Sequence, residues 1–385
     1  MRPAKPDQTA ADDGRALLAK ARRLVVKLGS GVVCNANDEF DRQQVAQLAH
    51  SIAALVRDGK QVVLVSSGAI TLGAAELRLH RSRLRDASVN RACAAVGQCK
   101  LMEAYAEAFR PYQLIPAQVL VTEDDFTDLN RYRILRQTFE KLLKLGAVPV
   151  VNENDAVTNI YTEQAPVFRD NDRLAALVLS KLDAQVLVLL SNVDGLLRIV
   201  DGAPQAGNVV PVVARMTAEI RESASGKSAT GRGGMTAKLD AAEIAMQAGG
   251  LAVIANGKTP HVIERILAGE NIGTLFLPGA RMAGKRRWLA FASSVRGQVA
   301  INANARKALL NGHASLLLSG VTGCKGAFSA GQVIAVLDSD GATMGRGIAE
   351  CASQDIQSAL SSGASAKGVL VRRENFLIFS KESHA

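Results

Sequence analysis

Short unbroken apolar runs alternate along the first three-quarters of the chain with longer stretches whose apolar residues recur every three or four positions. The runs are Leu24-Val25-Val26-Lys27-Leu28, then residues 61–65, 147–151, 184–190 and 251–255, with a weaker one at 114–121. Runs without polar interruption are what strands buried on both faces require, and such strands belong to parallel sheets. The helical periods fall at 41–57, 89–109, 129–145, from 173 onward, up to Gln247, and at 261–268. The pattern predicts an α/β fold with a mainly parallel central sheet sandwiched between helices. This domain is expected over 22–278, after a polar, Ala-rich and flexible segment 1–21. Residues 279–294 are basic and poor in apolar runs, as a linker is. Short β-like runs at 314–319, 332–337 and 369–371, separated by Gly-rich turns, predict a small, mostly β domain over 295–376, with a tail at 377–385.

Candidate chemistry concentrates between Gly146 and Arg173. The run 147–151 breaks off into Asn152-Glu153-Asn154-Asp155, and Asp170-Asn171-Asp172 then opens a helix with acids at its N-terminus. In an open α/β sheet, ligands sit beyond the carboxyl ends of the strands, which is where Asn152 to Asp155 fall. Turn and cap formation explains either cluster alone. Two clusters bracketing one excursion favour a site, in which amides and carboxylates grip an ammonium group.

Two familiar phosphate motifs fail. Gly29-Ser30-Gly31 is followed at the third glycine position by Cys34, and the second run ends in Ser66-Ser67 where a ribose-binding acid is needed. Gly226-Lys227-Ser228 resembles the end of a P-loop, but the glycine required five places earlier is Arg221. What remains is Lys27 at a strand end before glycines, and Lys238 after Gly231-Arg232-Gly233-Gly234-Met235-Thr236-Ala237 at a helix start. Two separated lysines suit phosphoryl transfer, which is largely positioning and charge stabilisation. A strand-end lysine that merely snorkels, and a flexible surface turn before Lys238, are the competing explanations. Lysines held at a buried entrance need an anion, and Asp172 is the candidate.

Composition narrows the classes. Aromatic content of 4% argues against stacking platforms for single-stranded nucleic acid. Residues 281–385 carry 13 Lys and Arg against 6 Asp and Glu, so +7 of the chain's +10 sits in the last quarter. That motivates RNA binding as an alternative, although a solvated basic face explains it equally. Five cysteines without C-x2-C pairing (Cys34, Cys93, Cys99, Cys324 and Cys351) point to reduced thiols in a cytoplasmic chain and not to zinc; the histidines form no ligand pattern. No metal site of protein ligands is expected, and no membrane span or secretory segment.

Taken in order, Val25-Val26-Lys27-Leu28-Gly29, Ser67-Gly68-Ala69-Ile70, Ala94-Ala95-Val96-Gly97-Gln98, Asn152-Glu153-Asn154-Asp155, Asp170-Asn171-Asp172, Gly233-Gly234-Met235, Lys238 and Gly273-Thr274-Leu275-Phe276 resemble the glutamate 5-kinases of the amino acid kinase superfamily, in the long form with a C-terminal PUA domain. Lys285-Arg286-Arg287 before Trp288 continues the series. The resemblance implies ATP-dependent phosphorylation of the side-chain carboxylate of L-glutamate, the first step towards proline. It also implies a Mg²⁺-bound nucleotide, feedback inhibition by proline and a homo-oligomer, dimer or tetramer. By position it makes Lys27 and Lys238 the residues that stabilise the transferring phosphoryl, with Asp172 orienting them. Ser67, Gly68, Ala69, Asn152, Asp155 and Asn171 hold glutamate. Lys27, Gly29, Ser191, Asn192, Arg232, Gly233, Gly234, Met235, Thr236, Ala237 and Lys238 line the nucleotide site. Ser191-Asn192 stands where the family usually has Thr-Asp, and Asn302 where an Asp is common. Sister kinases acting on aspartate, acetylglutamate, carbamate or UMP share the fold and lysines, but not the Asn/Asp pair with the PUA tail.

Overall fold

The computed structural model describes residues 8–35, 39–122, 124–157, 171–200, 203–224, 234–281, 284–291, 295–312, 314–361 and 368–379. The chain divides into two compact units, Met1–Thr122 with Arg136–Arg281, and Glu123–Leu135 with Met282–Ala385.

The first unit is built on β1 (Arg23–Leu28), β2 (Gln61–Ser66), β3 (Ile115–Val121), β4 (Ala147–Glu153) and β5 (Val186–Ser191). These are followed by β6 (Leu197–Val200), β7 (Ala203–Val209), β8 (Val212–Val213), β9 (Leu251–Asn256) and β10 (Thr274–Phe276). Eight of them make a sheet in the order β3-β4-β2-β1-β5-β9-β10-β8; β6 and β7 pair separately as a hairpin. The strands from β3 through β9 run parallel, and β10 turns back antiparallel to β9. β5 is buried at every residue, as its uninterrupted apolar run requires.

Alternation along β1 separates its two faces. Leu24, Val26 and Leu28 enter the apolar cluster that also contains Val45, Leu48 and Ile52 of the helix Arg42–Arg57 and Leu101 and Tyr105 of the helix Ala87–Phe109. Lys27 therefore faces the opposite layer, where the helices Asn171–Leu182 and Met235–Gln247 pack on the sheet and on each other. All carboxyl ends of β1, β2, β4, β5 and β9 lie at one edge, with the Asn/Asp and glycine segments beyond them.

Three expectations change. Within the segment 1–21, expected to be flexible, Gln8–Ala19 is a helix, with Leu18 fully buried and Gly14 so close to Leu277 that a Cβ would stand 2.4 Å from its Cδ2. The expected linker contains the helix Gly284–Phe291, which buries Trp288 and Leu289. The segment 124–135 also leaves the first unit, because the Trp288 indole N–H donates to the Phe126 carbonyl at 2.7 Å and Tyr132 meets the Trp288 ring edge-on.

The second unit holds β11 (Gly297–Ile301), β12 (Leu316–Leu317), β13 (Val321–Lys325), β14 (Val333–Leu337), β15 (Thr343–Ile348), β16 (Val369–Val371) and β17 (Phe376–Ile378). Its main sheet runs β13-β11-β14-β15-β17 around a core that includes Val299, Ile334, Val336 and Phe376. Asn302 caps the helix Ala303–Leu310 by accepting from the Ala305 N–H at 2.8 Å, a role an aspartate fills equally. Among the described residues, no helix is long and apolar enough to cross a membrane.

Candidate active site

Three of the predicted residues converge. The Lys27 ammonium lies 2.6 Å from Asp172 Oδ1, and that of Lys238 lies 2.9 Å from Asp172 Oδ2. The elements dictate this meeting. Lys27 is the penultimate residue of β1 and faces the layer of the helices Asn171–Leu182 and Met235–Gln247; Asp172 lies in the first turn of the former and Lys238 in the first turn of the latter. Asp172 is fully buried, and the lysine side chains are only 7% and 8% exposed. Burial alone would raise the Asp172 pKa, but attraction to Lys27 and Lys238 more than offsets it and holds the carboxyl below its ordinary value. Two cations against one carboxylate leave a net positive charge in a desolvated pocket, and two helix N-termini add to it. Such a site is completed by an anion.

A second group forms beside it. The Asn171 amide Nδ2 lies 3.1 Å from the Ser66 carbonyl, 3.0 Å from Ser67 Oγ and 3.0 Å from Asn152 Oδ1. A primary amide has two hydrogens, so one of these three acceptors is left for another donor. Gly68 begins the helix Ala69–Glu76 with φ +114°, a left-handed conformation that turns the Ser67-Gly68-Ala69 loop over the strand end. Asp155 is half-buried in the turn after β4, three residues beyond Asn152.

The residues expected on the nucleotide side are more dispersed. Gly29 donates to the Leu190 carbonyl at 3.1 Å, and a Cβ there would stand 3.7 Å from Lys27 Nζ. Ser191 is buried at the end of β5, in register with Asn256 of β9, whereas Asn192 is exposed beside Gly31. Gly234 precedes Met235, Thr236, Ala237 and Lys238 in the helix start, with Thr236 Oγ1 donating to the Ala224 carbonyl at 3.3 Å. Arg232 and Gly233 lie outside the described residues.

Sequence reasoning assigned no role to Gln98, Tyr105, Gly97 or Thr274. Gln98 accepts from Asn152 Nδ2 at 3.0 Å and donates to Gln118 Oε1 at 3.3 Å, so it sets the orientation of the Asn152 amide. The Tyr105 and Ser66 hydroxyls lie 2.7 Å apart, and burial pushes the Tyr105 phenol well above its ordinary pKa. Thr274 Oγ1 accepts from the Leu196 N–H at 2.8 Å and fixes the loop after β5. At Gly97 a Cβ would fall 1.8 Å from the Ala69 carbonyl oxygen and 2.5 Å from the Gly73 nitrogen. The helix that carries Gln98 thus touches the helix that begins at Ala69 backbone to backbone. Gly97→Ala is expected to force the two apart, at a cost of about 2–3 kcal/mol, seen as a thermal midpoint lower by about 5 °C or more; an unshifted midpoint would contradict it.

A carboxylate clamped by two lysines at the carboxyl edge of a parallel sheet suits a phosphotransferase, and the family comparison agrees: residues 22–256 match the Amino acid kinase family, and residues 297–368 match the PUA domain. Among curated proteins, a glutamate 5-kinase of Anaeromyxobacter dehalogenans is 41% identical over 347 residues, covering 89% of this chain and 90% of its own. That of Myxococcus xanthus is 40% identical over 338 residues, covering 87% and 88%, and that of Geobacter sulfurreducens 36% over 342 residues, covering 88% and 90%. The chain belongs to the glutamate 5-kinases of the amino acid kinase family.

Proposed function

We propose that the chain transfers the γ-phosphoryl group of ATP to the side-chain carboxylate of L-glutamate, giving L-glutamyl 5-phosphate and ADP. The observation that carries this reading is the Lys27–Asp172–Lys238 bridge, a buried site with one positive charge in excess. The two ammonium groups bind the non-bridging oxygens of the γ-phosphoryl, where charge spreads as the bond to the β-phosphate oxygen breaks. Asp172 keeps both cations in place without binding the nucleotide. The attacking carboxylate of glutamate is ionised at neutral pH, so the reaction needs no general base. One of its oxygens forms the new P–O bond and ADP departs with the electron pair.

Asn152, Asn171, Ser67 and Asp155 supply the amides, hydroxyl and carboxylate that match an α-ammonium and an α-carboxylate. They gather beyond β2, which pairs with β1, and β4, which pairs with β2, so the side chain of a bound glutamate reaches towards Lys27. Asp155→Ala is expected to raise the glutamate KM about tenfold or more, because an ammonium loses a charged partner; an unchanged KM would mean that the Asn/Asp segment is a turn only.

Among the described residues, no three or more His, Cys, Asp or Glu stand together as a metal cage. Mg²⁺ would be carried in on the phosphates with its waters, which is how this hard cation is commonly held. When bound it would neutralise phosphate charge, and the protein's own part remains that of the two lysines. ATP consumption measured with L-glutamate against L-aspartate and acetylglutamate tests the acceptor; turnover with either competitor and none with L-glutamate would refute the reading. Repeating that assay with added L-proline tests feedback inhibition, and light scattering tests assembly into a dimer or tetramer. Both properties extend the same family reading.

A further inference from the structure

The helix Gln8–Ala19 precedes the stretch that matches the kinase family, and two sets of contacts fasten it to the first unit. Leu18 is fully buried and Gly14 lies against Leu275 and Leu277. At the end of the helix the Lys60 ammonium donates to the carbonyls of Ala19 and Ala21, at 3.2 and 2.7 Å. Arg15 does something else. It is 9% exposed, and its guanidinium donates to the Glu270 carbonyl and to Asn271 Oδ1, each at 2.5 Å, and to the Pro211 carbonyl at 3.4 Å. These acceptors come from two chain segments: Pro211 precedes β8, and Glu270-Asn271 precede β10. Anchoring the helix does not call for such a side chain, since a buried guanidinium carries a desolvation cost that an apolar residue would not. A rigid planar fork that bonds several acceptors at once does hold two segments at a fixed separation.

Both segments belong to the wall of one cavity. It has a volume of ≈420 Å³, and Pro211, Asn271, Ile272 and Asn256 are among its lining. The cavity adjoins the proposed nucleotide side, because Asn256 is the register partner of Ser191 and the Gly257 N–H donates to the Ser191 carbonyl at 2.8 Å. The carbonyls that Arg15 holds are shared with the backbone of the wall. That of Glu270 also accepts from the Ile272 N–H at 2.8 Å, and that of Pro211 from the Leu275 N–H at 3.0 Å. A shift of either carbonyl therefore moves the wall. At Asn271 the effect is on orientation. An amide can present its oxygen or its nitrogen, and Arg15 takes the oxygen, which leaves the Nδ2 hydrogens for a ligand in the cavity.

We propose that Arg15 is a positioning residue for the nucleotide: by bridging the Pro211 and Glu270-Asn271 segments, the N-terminal helix holds the cavity wall and the Asn271 amide in the arrangement that receives the nucleotide, without Arg15 touching it. The assignment rests on the kinase reading for the side on which the nucleotide lies. Its test compares the full-length parent with Arg15→Ala and Lys60→Ala, below the thermal midpoint of each. ATP and L-glutamate are varied separately in steady-state assays, and the β,γ-imido analogue of ATP is titrated calorimetrically without any acceptor. Arg15→Ala is expected to raise the ATP KM and weaken the analogue about tenfold, while kcat and the glutamate KM hold. Lys60→Ala loosens the other end of the same helix, and is expected to lower the thermal midpoint and leave the ATP KM at the parental value. A parental ATP KM in Arg15→Ala overturns the proposal. An equal rise in both variants overturns it too, because the helix would then act by general stability alone. Should Arg15→Ala fail to fold, Arg15→Lys, which keeps the charge and loses the fork, takes its place: a raised ATP KM supports the proposal and a parental one overturns it. Absence of turnover with L-glutamate in the parent would overturn the kinase reading separately, since the titrations contain no acceptor.

Discussion

A Lys238→Ala enzyme is expected to lose about two orders of magnitude or more in kcat while its glutamate KM stays close to the parental value. The reason lies in what Lys238 touches. Its ammonium bonds Asp172 at 2.9 Å, whereas Asn171, Ser67 and Asn152 are held to one another through the Asn171 amide. Removing Lys238 leaves the proposed amino acid group intact and takes away one of two preorganised cations at the proposed phosphoryl position. Such a donor is worth about 3–4 kcal/mol in a transition state. Lys27 remains, so activity falls without vanishing. Asp172, now balanced one-to-one by Lys27, also loses the excess positive charge that makes the pocket an anion site. Steady-state kinetics with both substrates varied separates these effects. A parental kcat would remove Lys238 from the chemistry, and a large rise in glutamate KM would show that the two groups are one.

The parts legible in the sequence were those governed by short-range rules. Unbroken apolar runs marked β1, β2, β4, β5 and β9, since a strand covered on both faces has no polar side to show. Lys27 could be paired with Asp172 because a strand-end lysine facing a helix N-terminus needs an anion. Other features depend on distant contacts. β10 has three residues and follows Gly273, where φ is +70° and a Cβ would strike the Ile254 carbonyl at 2.1 Å; no periodicity announces it. The hairpin of β6 and β7 left no apolar run. Gln98 sits on a helix that buries residues around its surface, so nothing distinguishes it until Asn152, 54 residues on, comes within 3.0 Å. The passage of 124–135 into the second unit depends on one indole 162 residues from the carbonyl it meets. The helix Gln8–Ala19 looked frayed because its Ala-rich pattern has a weak apolar face, and only the fit of Gly14 and Leu18 against residues far along the chain anchors it.

Asp172→Asn is expected to be the most destabilising of the site substitutions, because it leaves two buried ammonium groups without a counter-charge. An amide of the same shape accepts from one lysine through Oδ1 and turns a donor towards the other. Breaking a buried ion network by removing one partner costs about 3–5 kcal/mol, and here the unpaired charge is doubled. The loss should depend on pH in a definite sense. The folded carboxyl titrates below the ordinary aspartate value of 3.8, held down by Lys27 and Lys238 against the opposing effect of burial. Its contribution to stability is therefore present above the unfolded pKa, and is lost as pH falls through the folded one. Parent and variant should differ most at neutral pH, begin to approach each other below about pH 4, and meet only once the pH is below the folded pKa. Saturating nucleotide supplies an anion to the same lysines, so it should raise the thermal midpoint of the variant as well as that of the parent. Denaturant titrations at pH 7 and in acid, with and without nucleotide, measure all three effects. Equal stability at pH 7, or a gap that persists unchanged in acid, would mean that the three charges do not act together as the bridge requires.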